Sequence, residues 1–530
     1  MGIPSYFSYI VKNHPTIIRR FTPASTVIHN LYMDCNSIIY DTYASLLSSQ
    51  SNSEPHSIIA GVISRINQYV SLINPVSRVI IAFDGVAPVA KLEQQRQRRH
   101  KSWYQNQLTK QIKKDTSVEA WSTTAITAGT KFMHDLNVAV KSHFGEKNGS
   151  LIYDLTCSDV AGEGEHKIFD YIRRNPAKHA NETTFIYGLD ADLIMLCINH
   201  LPICPNIFLY RETPDFIKSI NSDLEPNENY ILDIKELTDG IFNQMYSTNQ
   251  PANLAKVYDY IFLCFFLGND FLPHFPAVNI RTGGVDKMLN AYKATIKEDE
   301  YLTNGNKIFW GNVRKVVAFL AQNEEQFIRE EHQKRNNMER RKLPNKTVED
   351  QIAQIVSIPL YSRALERYIN PNAPNWQNRY YDSLLNIDYD NKDRVRQVCV
   401  NYLEGLEWTM KYYTSACPDW RWQYNYSYPP LLTDLIQHIP VFDTVFVPEN
   451  NHKPVSQLMQ LCYVLPSSSL SLLPRPFYQK LLHSYPEWYE CKNEFVWAYC
   501  RYFWESHVQL GHIDLNELEE FISKNRHLLI

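Results

Sequence analysis

Short apolar runs alternate with amphipathic stretches through the first half of the chain. Val79-Ile80-Ile81-Ala82-Phe83 is continuous and mostly β-branched, the pattern of a buried strand. Asp84 closes it, and Gly85 and Pro88 then break the element. Leu31-Tyr32-Met33 is a second such run and ends on Asp34. Ser150 to Leu155 and Thr184 to Leu189 are two more, the latter ending on Asp190 with Asp192 two positions on. Between them, helical patterning covers Ile38 to Leu47, Ile58 to Ile73, a polar stretch from Lys91 to about Lys114, and Thr127 to His143. It returns after Ala161-Gly162-Glu163-Gly164-Glu165-His166-Lys167 as far as Arg173, and again over Leu193 to Ile198. Tyr258 to Leu267 is an apolar helix stopping at Gly268-Asn269-Asp270. Strand, helix, strand in this order predicts an α/β fold with a parallel sheet flanked by helices.

Asp34, Asp84 and Asp190 each follow a strand, and an open parallel sheet gathers the carboxyl ends of its strands on one edge, where ligands bind. Three acidic residues from separate strands are therefore expected to converge, with Glu163, Glu165, Asp192 and Asp270 as candidates to join them. Taken singly, an Asp after a strand is equally a cap for the next helix; as a set they point to a shared site. Clustered carboxylates repel one another unless cations lie among them. Oxygen donors without Cys or His suit Mg²⁺ or Mn²⁺. Two such ions ~4 Å apart can hydrolyse a phosphodiester. At about 100° per residue, Lys91, Gln95, Arg98 and Arg99 share one helix face. That face reads either as a solvated surface or as a place to hold a phosphate beside the metal.

The later part of the chain changes character. Residues 1–322 are expected to form the first unit. Residues 323–350, EEQFIREEHQKRNNMERRKLPNKTVED with its preceding Asn, are a mixed charge run expected to be a solvated helix or connector. Residues 351–530, rich in Tyr, Trp and Pro, read as a second unit of mainly short helices and loops. A length of 530 residues allows two to four domains. With a net charge of −4, nucleic-acid binding has to rest on local basic patches. The 34 Tyr and 10 Trp permit base stacking. The ten Cys show no metal spacing, so buried free thiols and a reducing compartment are expected. MGIPSY lacks the Ser/Thr of a myristoylation signal, and no apolar run is long enough for a bilayer. A cytoplasmic location and no membrane partner are expected.

The chain resembles the Xrn family of 5′→3′ exoribonucleases, whose core is related to the PIN and flap-endonuclease fold. The resemblance lies in MGIPSYFSYI, LYMDCNSIIYD, IIAFDGVAPVAKLEQQRQRRHKSW, AGEGEHKIFDYIR, FIYGLDADLIML and FLCFFLGNDFLPHF, in family order. NYLEGLEWTMKYYTSACPDWRWQYNYSYPP and QLMQLCYVLPSSSLSLLP extend it into the second unit. It implies that Asp34, Asp84, Glu163, Glu165, Asp190, Asp192 and Asp270 hold two divalent ions. It implies further that Lys91, Gln95, Arg98 and Arg99 bind the 5′-monophosphate of single-stranded RNA, and that Tyr40 and Trp422 stack on bases. Tyr40 stands where the family usually has His, and Ala161 and Ser37 replace a Pro and a Gly. The implied partners are 5′-monophosphorylated RNA and decapping factors, and the implied state is a monomeric, minimal catalytic unit without long C-terminal extensions. Two rival expectations stand beside this one: a structure-specific DNA flap nuclease on the same core, and an inactive RNA-binding scaffold.

Overall fold

The structure is a computed structural model, and the residues described are 3, 5–22, 27–49, 54–114, 121–145, 149–246, 251–341 and 343–529. Gly2 and Pro4 of the opening motif lie outside them.

Seven strands form one sheet: β1 (Ile18–Arg20), β2 (Asn30–Asp34), β3 (Arg78–Ala82), β4 (Ile152–Thr156), β5 (Thr184–Tyr187), β6 (Ile207–Glu212) and β7 (Asn229–Asp233). Their order is β1-β7-β6-β5-β2-β3-β4. The five strands from β6 to β4 are mutually parallel, and β7 runs antiparallel between β6 and β1. The chain moves outward from β2 through β3 to β4, then crosses back to lay β5 on the far side of β2. A topological switch point, where ligands bind in parallel sheets, therefore lies between the carboxyl ends of β2 and β5.

Successive side chains of a strand face opposite sides of the sheet, and the core divides accordingly. Leu31, Met33, Val79 and Ile81 pack on one face, under the Pro55–Ile73 and Lys131–Gly145 helices. Tyr32, Ile80 and Ile186 face the other way, into a larger core that runs on without interruption to Leu406, Trp408 and Tyr412 of the later region. Local signals set the helix ends. Pro55 opens its helix at the first turn, and Asn74, with φ 51°, closes it in the left-handed conformation.

The Val89–Lys113 helix is held on its second side by the later region. The Val89 amide donates to the Trp420 carbonyl (3.0 Å), Arg96 donates to the Trp488 carbonyl (2.6 Å), and Lys101 Nζ donates to the carbonyls of Trp504 (2.7 Å) and Ser506 (2.6 Å).

One expectation about the later region is corrected. The charged run at 323–350 is no connector. Most of it belongs to a 30-residue helix, Trp310–Glu339. Glu324, Ile328, Glu331, His332 and Arg335 form its buried side. The region beyond 350 is mainly short helices and loops, as expected, with a long helix and a strand pair. The helix Lys392–Thr414 has 23 residues, and β8 (Cys491–Val496) pairs with β9 (His507–Leu510). All ten cysteines are free, with Cys197 and Cys264 buried as expected. Among the described residues, no helix is long and apolar enough to cross a membrane.

Candidate active site

The site is assembled at the carboxyl ends of β2, β3 and β5. Asp34 is the last residue of β2 and Asp84 lies two positions past β3. Asp84 is fixed from both sides: Oδ2 accepts from Asn36 Nδ2 (2.7 Å) and Oδ1 from the Gly164 amide (2.7 Å). Asn36 Oδ1 accepts in turn from the Asp84 amide (3.0 Å), so this side chain joins the ends of β2 and β3. Gly164 opens the Gly164–Arg174 helix, with Glu163 just before it and Glu165 in its first turn. A Cβ at Gly164 would lie 2.6 Å from Asp34 Oδ1, so glycine is what lets this helix start against the end of β2. Asp192 begins the Asp192–His200 helix after β5, and Asp190 stands exposed at the rim. Asp270 follows the turn at Gly268, where φ is 88° and the chain folds back on His274.

The electrostatics are those of a crowded anionic pocket. Burial, with Asp84 and Asp190 close by, raises the Asp34 carboxyl well above the usual range. Burial and the Asp192 charge do the same to Glu165, and Asp192 is pushed to about 7 by burial and by Asp270. Burial and Glu163 raise Asp84. Asp34 Oδ1, Glu165 Oε2 and Asp192 Oδ1 are buried without a hydrogen-bond partner. Three orphaned carboxylate oxygens from three elements are donors of the chemical kind a hard divalent cation takes.

Lys91 faces the carboxylates. It is ion-paired with Glu163 Oε1 at 2.7 Å and with Asp270, because an ammonium this deeply buried is costly unless paired. Burial opposes its charge, but Asp270 and Glu163 hold its pKa well above the ordinary lysine value. Burial would likewise raise Asp270, yet Lys91 keeps that carboxyl well below its usual range. Among the described residues, no three Asp, Glu, His or Cys side chains are yet gathered tightly enough to hold an ion.

Farther along the same helix, Gln95 Oε1 and Arg99 Nη1 are buried without partners. Burial lowers the Arg99 pKa to about 10, and Tyr40, exposed on the Asn36–Ser48 helix, is close enough to oppose that shift. Arg98 is near enough to Asp270 to help keep it ionised. Trp422 is half-buried, stacked on Trp408 at 5.3 Å, with Nε1 donating to Glu404 (3.2 Å).

Comparison with known proteins decides the family. The family model described as XRN 5′-3′ exonuclease N-terminus matches residues 1–213, and the one described as Xrn1 helical domain matches residues 253–360 and 368–529. The chain belongs to the Xrn 5′-3′ exonuclease family. Similar curated proteins include the 5′-3′ exoribonuclease 2 homolog of Drosophila melanogaster, 25% identical over 90% of this chain and 65% of the relative. The 5′-3′ exoribonuclease 2 of Arabidopsis thaliana is 24% identical over 98% and 67%. The 5′-3′ exoribonuclease 1 of Saccharomyces cerevisiae is 26% identical over 90% and 40%. The chain thus spans about two thirds of the length of the first two relatives and less of the third. Among solved structures, the catalytic core of Rad2 in complex with DNA substrate is similar at a TM-score of 0.33 and 15% identity, covering 63% of this chain and 80% of that one. That superposition is too loose to place residues.

In this Xrn-family chain several site residues carry no signal of their own in the sequence. Gln94, whose Nε2 donates to Asp270 (3.1 Å), is one helical turn from Lys91 and was within reach of the same helix-face reading. Lys167 donates to the carbonyls of Phe83 (2.8 Å) and Cys157 (3.0 Å). Burial lowers its pKa to about 8 although Asp84 works against the shift. Tyr412, from the later region, donates to Glu163 Oε2 (2.9 Å). Asn36, Lys167 and Tyr412 become site residues only through the fold.

Proposed function

We propose that this protein is a 5′→3′ exoribonuclease that removes nucleoside 5′-monophosphates, one at a time, from single-stranded RNA carrying a 5′-monophosphate. One helix carries the reading: in Val89–Lys113, Lys91 lies within the carboxylate cluster while Arg99 keeps a buried, unpartnered guanidinium nitrogen eight residues on. Eight residues of helix span about 12 Å, so a single rigid element holds a cation among the carboxylates and a second cation set back from them. The family membership and the names of the relatives support the same reading.

Asp34, Asp84, Glu163, Glu165, Asp190, Asp192 and Asp270 are the residues that would hold Mg²⁺ or Mn²⁺. When bound, the metal supplies the Lewis acidity that phosphodiester hydrolysis requires. Gln95, Arg98 and Arg99 bind the terminal phosphate, Arg99 through its planar fork. Lys91 balances Glu163 and Asp270. Tyr40 and Trp422 offer rings to the leading bases. Water adds to the phosphorus between the first and second nucleotides, and the bond to the 3′ oxygen of the first one breaks. That oxygen takes up a proton, so the first nucleotide leaves with its 5′-phosphate and a 3′-hydroxyl. The shortened RNA again begins with a 5′-phosphate, and the cycle can repeat without release.

The test is digestion of matched RNAs bearing a 5′-monophosphate, triphosphate, hydroxyl or cap, with products resolved by size. The monophosphorylated RNA is expected to disappear with release of mononucleotides only. Asp190→Ala should abolish release, and Arg98→Ala should chiefly reduce the preference for monophosphate over hydroxyl. Equal digestion of both substrates by the unmutated protein would refute the phosphate assignment, and cleavage confined to DNA flaps would refute the RNA substrate.

A further inference from the structure

The helix Lys392–Thr414 places Trp408 and Tyr412 one turn apart on its buried side, and their rings stack at 4.7 Å and 29°. On its other face the Tyr412 ring lies 3.7 Å from the imidazole of His166, nearly parallel at 28°. Trp408 in turn stacks on Trp422 at 5.3 Å and 24°. Four rings thus form a column from Trp422 to His166, the residue next to Glu165. Trp408 is pinned within it by a hydrogen bond from Nε1 to the Asp419 carbonyl (2.8 Å). Buried and stacked between His166 and Trp408, the Tyr412 ring is held in place, and the position of its hydroxyl with it.

That position is beside Glu163. The hydroxyl donates to Oε2 at 2.9 Å, while Lys91 takes Oε1 at 2.7 Å. Both oxygens of Glu163 are therefore held, one from each half of the chain. Asp34, Glu165 and Asp192 each keep an oxygen without a partner. Phenylalanine would fill the same volume and keep the same stacking. A buried hydroxyl costs free energy unless it is hydrogen-bonded, and here its partner is a carboxylate of the cluster.

We propose that Tyr412 is a positioning residue for the metal site, its hydroxyl setting the orientation in which Glu163 serves as a ligand. The inference rests on the divalent-metal reading above and deepens it, because it makes the helical region a contributor to metal affinity rather than only a wall. Groups that orient a ligand from behind typically account for ~10–100-fold in metal affinity.

The experiment uses the whole chain, stripped of metal with EDTA and dialysed, with free Mn²⁺ followed by electron paramagnetic resonance. Tyr412→Phe is expected to weaken Mn²⁺ binding by about tenfold, and to shift the Mg²⁺ dependence of mononucleotide release in the same direction. Tyr380→Phe is the comparison. That hydroxyl is equally buried but donates to the Pro429 carbonyl (3.0 Å), away from the carboxylates, and its loss should leave Mn²⁺ affinity unchanged. Equal Mn²⁺ affinity in Tyr412→Phe and the unmutated protein overturns the positioning role alone. An equal loss in Tyr380→Phe overturns it too, by showing a general loosening. If the unmutated protein binds no Mn²⁺ and releases no mononucleotides, the metal reading itself falls.

Discussion

Replacing Lys91 by Met keeps most of the side-chain volume and removes a positive charge paired with both Glu163 and Asp270. At the 2.7 Å separation from Glu163, attraction at an effective dielectric of 20 amounts to ~6 kcal/mol, and Asp270 adds a second pair. Desolvating the ammonium offsets several kcal/mol of that. The variant, however, takes the paired cation from buried Glu163 and weakens the positive field around Asp270, and breaking a buried pair in this way costs about 3–5 kcal/mol. Lys91→Met should therefore unfold at clearly lower urea concentration than the unmutated protein in EDTA. Mn²⁺ should restore more stability to the variant than it adds to the unmutated protein, because a divalent cation can replace the lost charge. The assay is urea unfolding followed by circular dichroism, in EDTA and in Mn²⁺, comparing midpoints and slopes in case a partly folded state intervenes. Equal midpoints in EDTA would refute the claim that Lys91 balances the cluster. A deficit that Mn²⁺ leaves untouched would refute the claim that the metal and the ammonium answer the same charge.

Glu366 is 1% exposed and accepts from Arg335, which is 3% exposed, as well as from Arg363 and the Tyr499 amide. Glu366→Gln leaves two buried guanidinium groups short of an anion and should cost about 3–5 kcal/mol in urea unfolding, with a change below 1 kcal/mol counting against the triad as a tie. Gly85→Ala would bring a Cβ within 1.8 Å of the Val160 carbonyl oxygen, so the turn after β3 must move; mononucleotide release should fall while the far-ultraviolet spectrum is retained. Burial lowers His200 and His507 to about 3 and His274 to about 4. Each must stay neutral in the folded state while the unfolded chain takes up protons below about 6.5. Their stability is fully present above that pH and is lost as pH falls toward 4, by up to ~1.4 kcal/mol per pH unit for each imidazole. His507→Gln should make the loss between pH 6 and 4.5 shallower in thermal melts, and an unchanged slope would count against the assignment.

What the sequence determined on its own were the features that depend on neighbours along the chain. A period of two and a run of β-branched residues are local, so β2, β3 and β5 were legible, and with them the placing of Asp34, Asp84 and Asp190 after their strands. The turn of Gly268-Asn269-Asp270 was equally visible. The strands β1, β7 and β6 were not, because IRR, NYILD and IFLYRE end in charged residues and hold no continuous β-branched run. The charged run after residue 322 misled for a related reason. Glu324, Glu331, His332 and Arg335 do recur at helical spacing, but the buried stripe is polar, with Glu324 and Arg335 bonded to distant partners, so a reading based on hydrophobicity takes it for a solvated face.

Tertiary structure alone decided the rest. It turned Lys91 into the carboxylates, although its helix face is shared with Gln95, Arg98 and Arg99, because only the folded chain shows which cation is deprived of water. It joined Tyr412 to Glu163 across 249 positions, and Asn36 to Asp84 across 48. A sequence pattern records which face of an element is buried. It does not record what lies opposite, and in a charged pocket that neighbour determines the protonation, the direction and the role of each side chain.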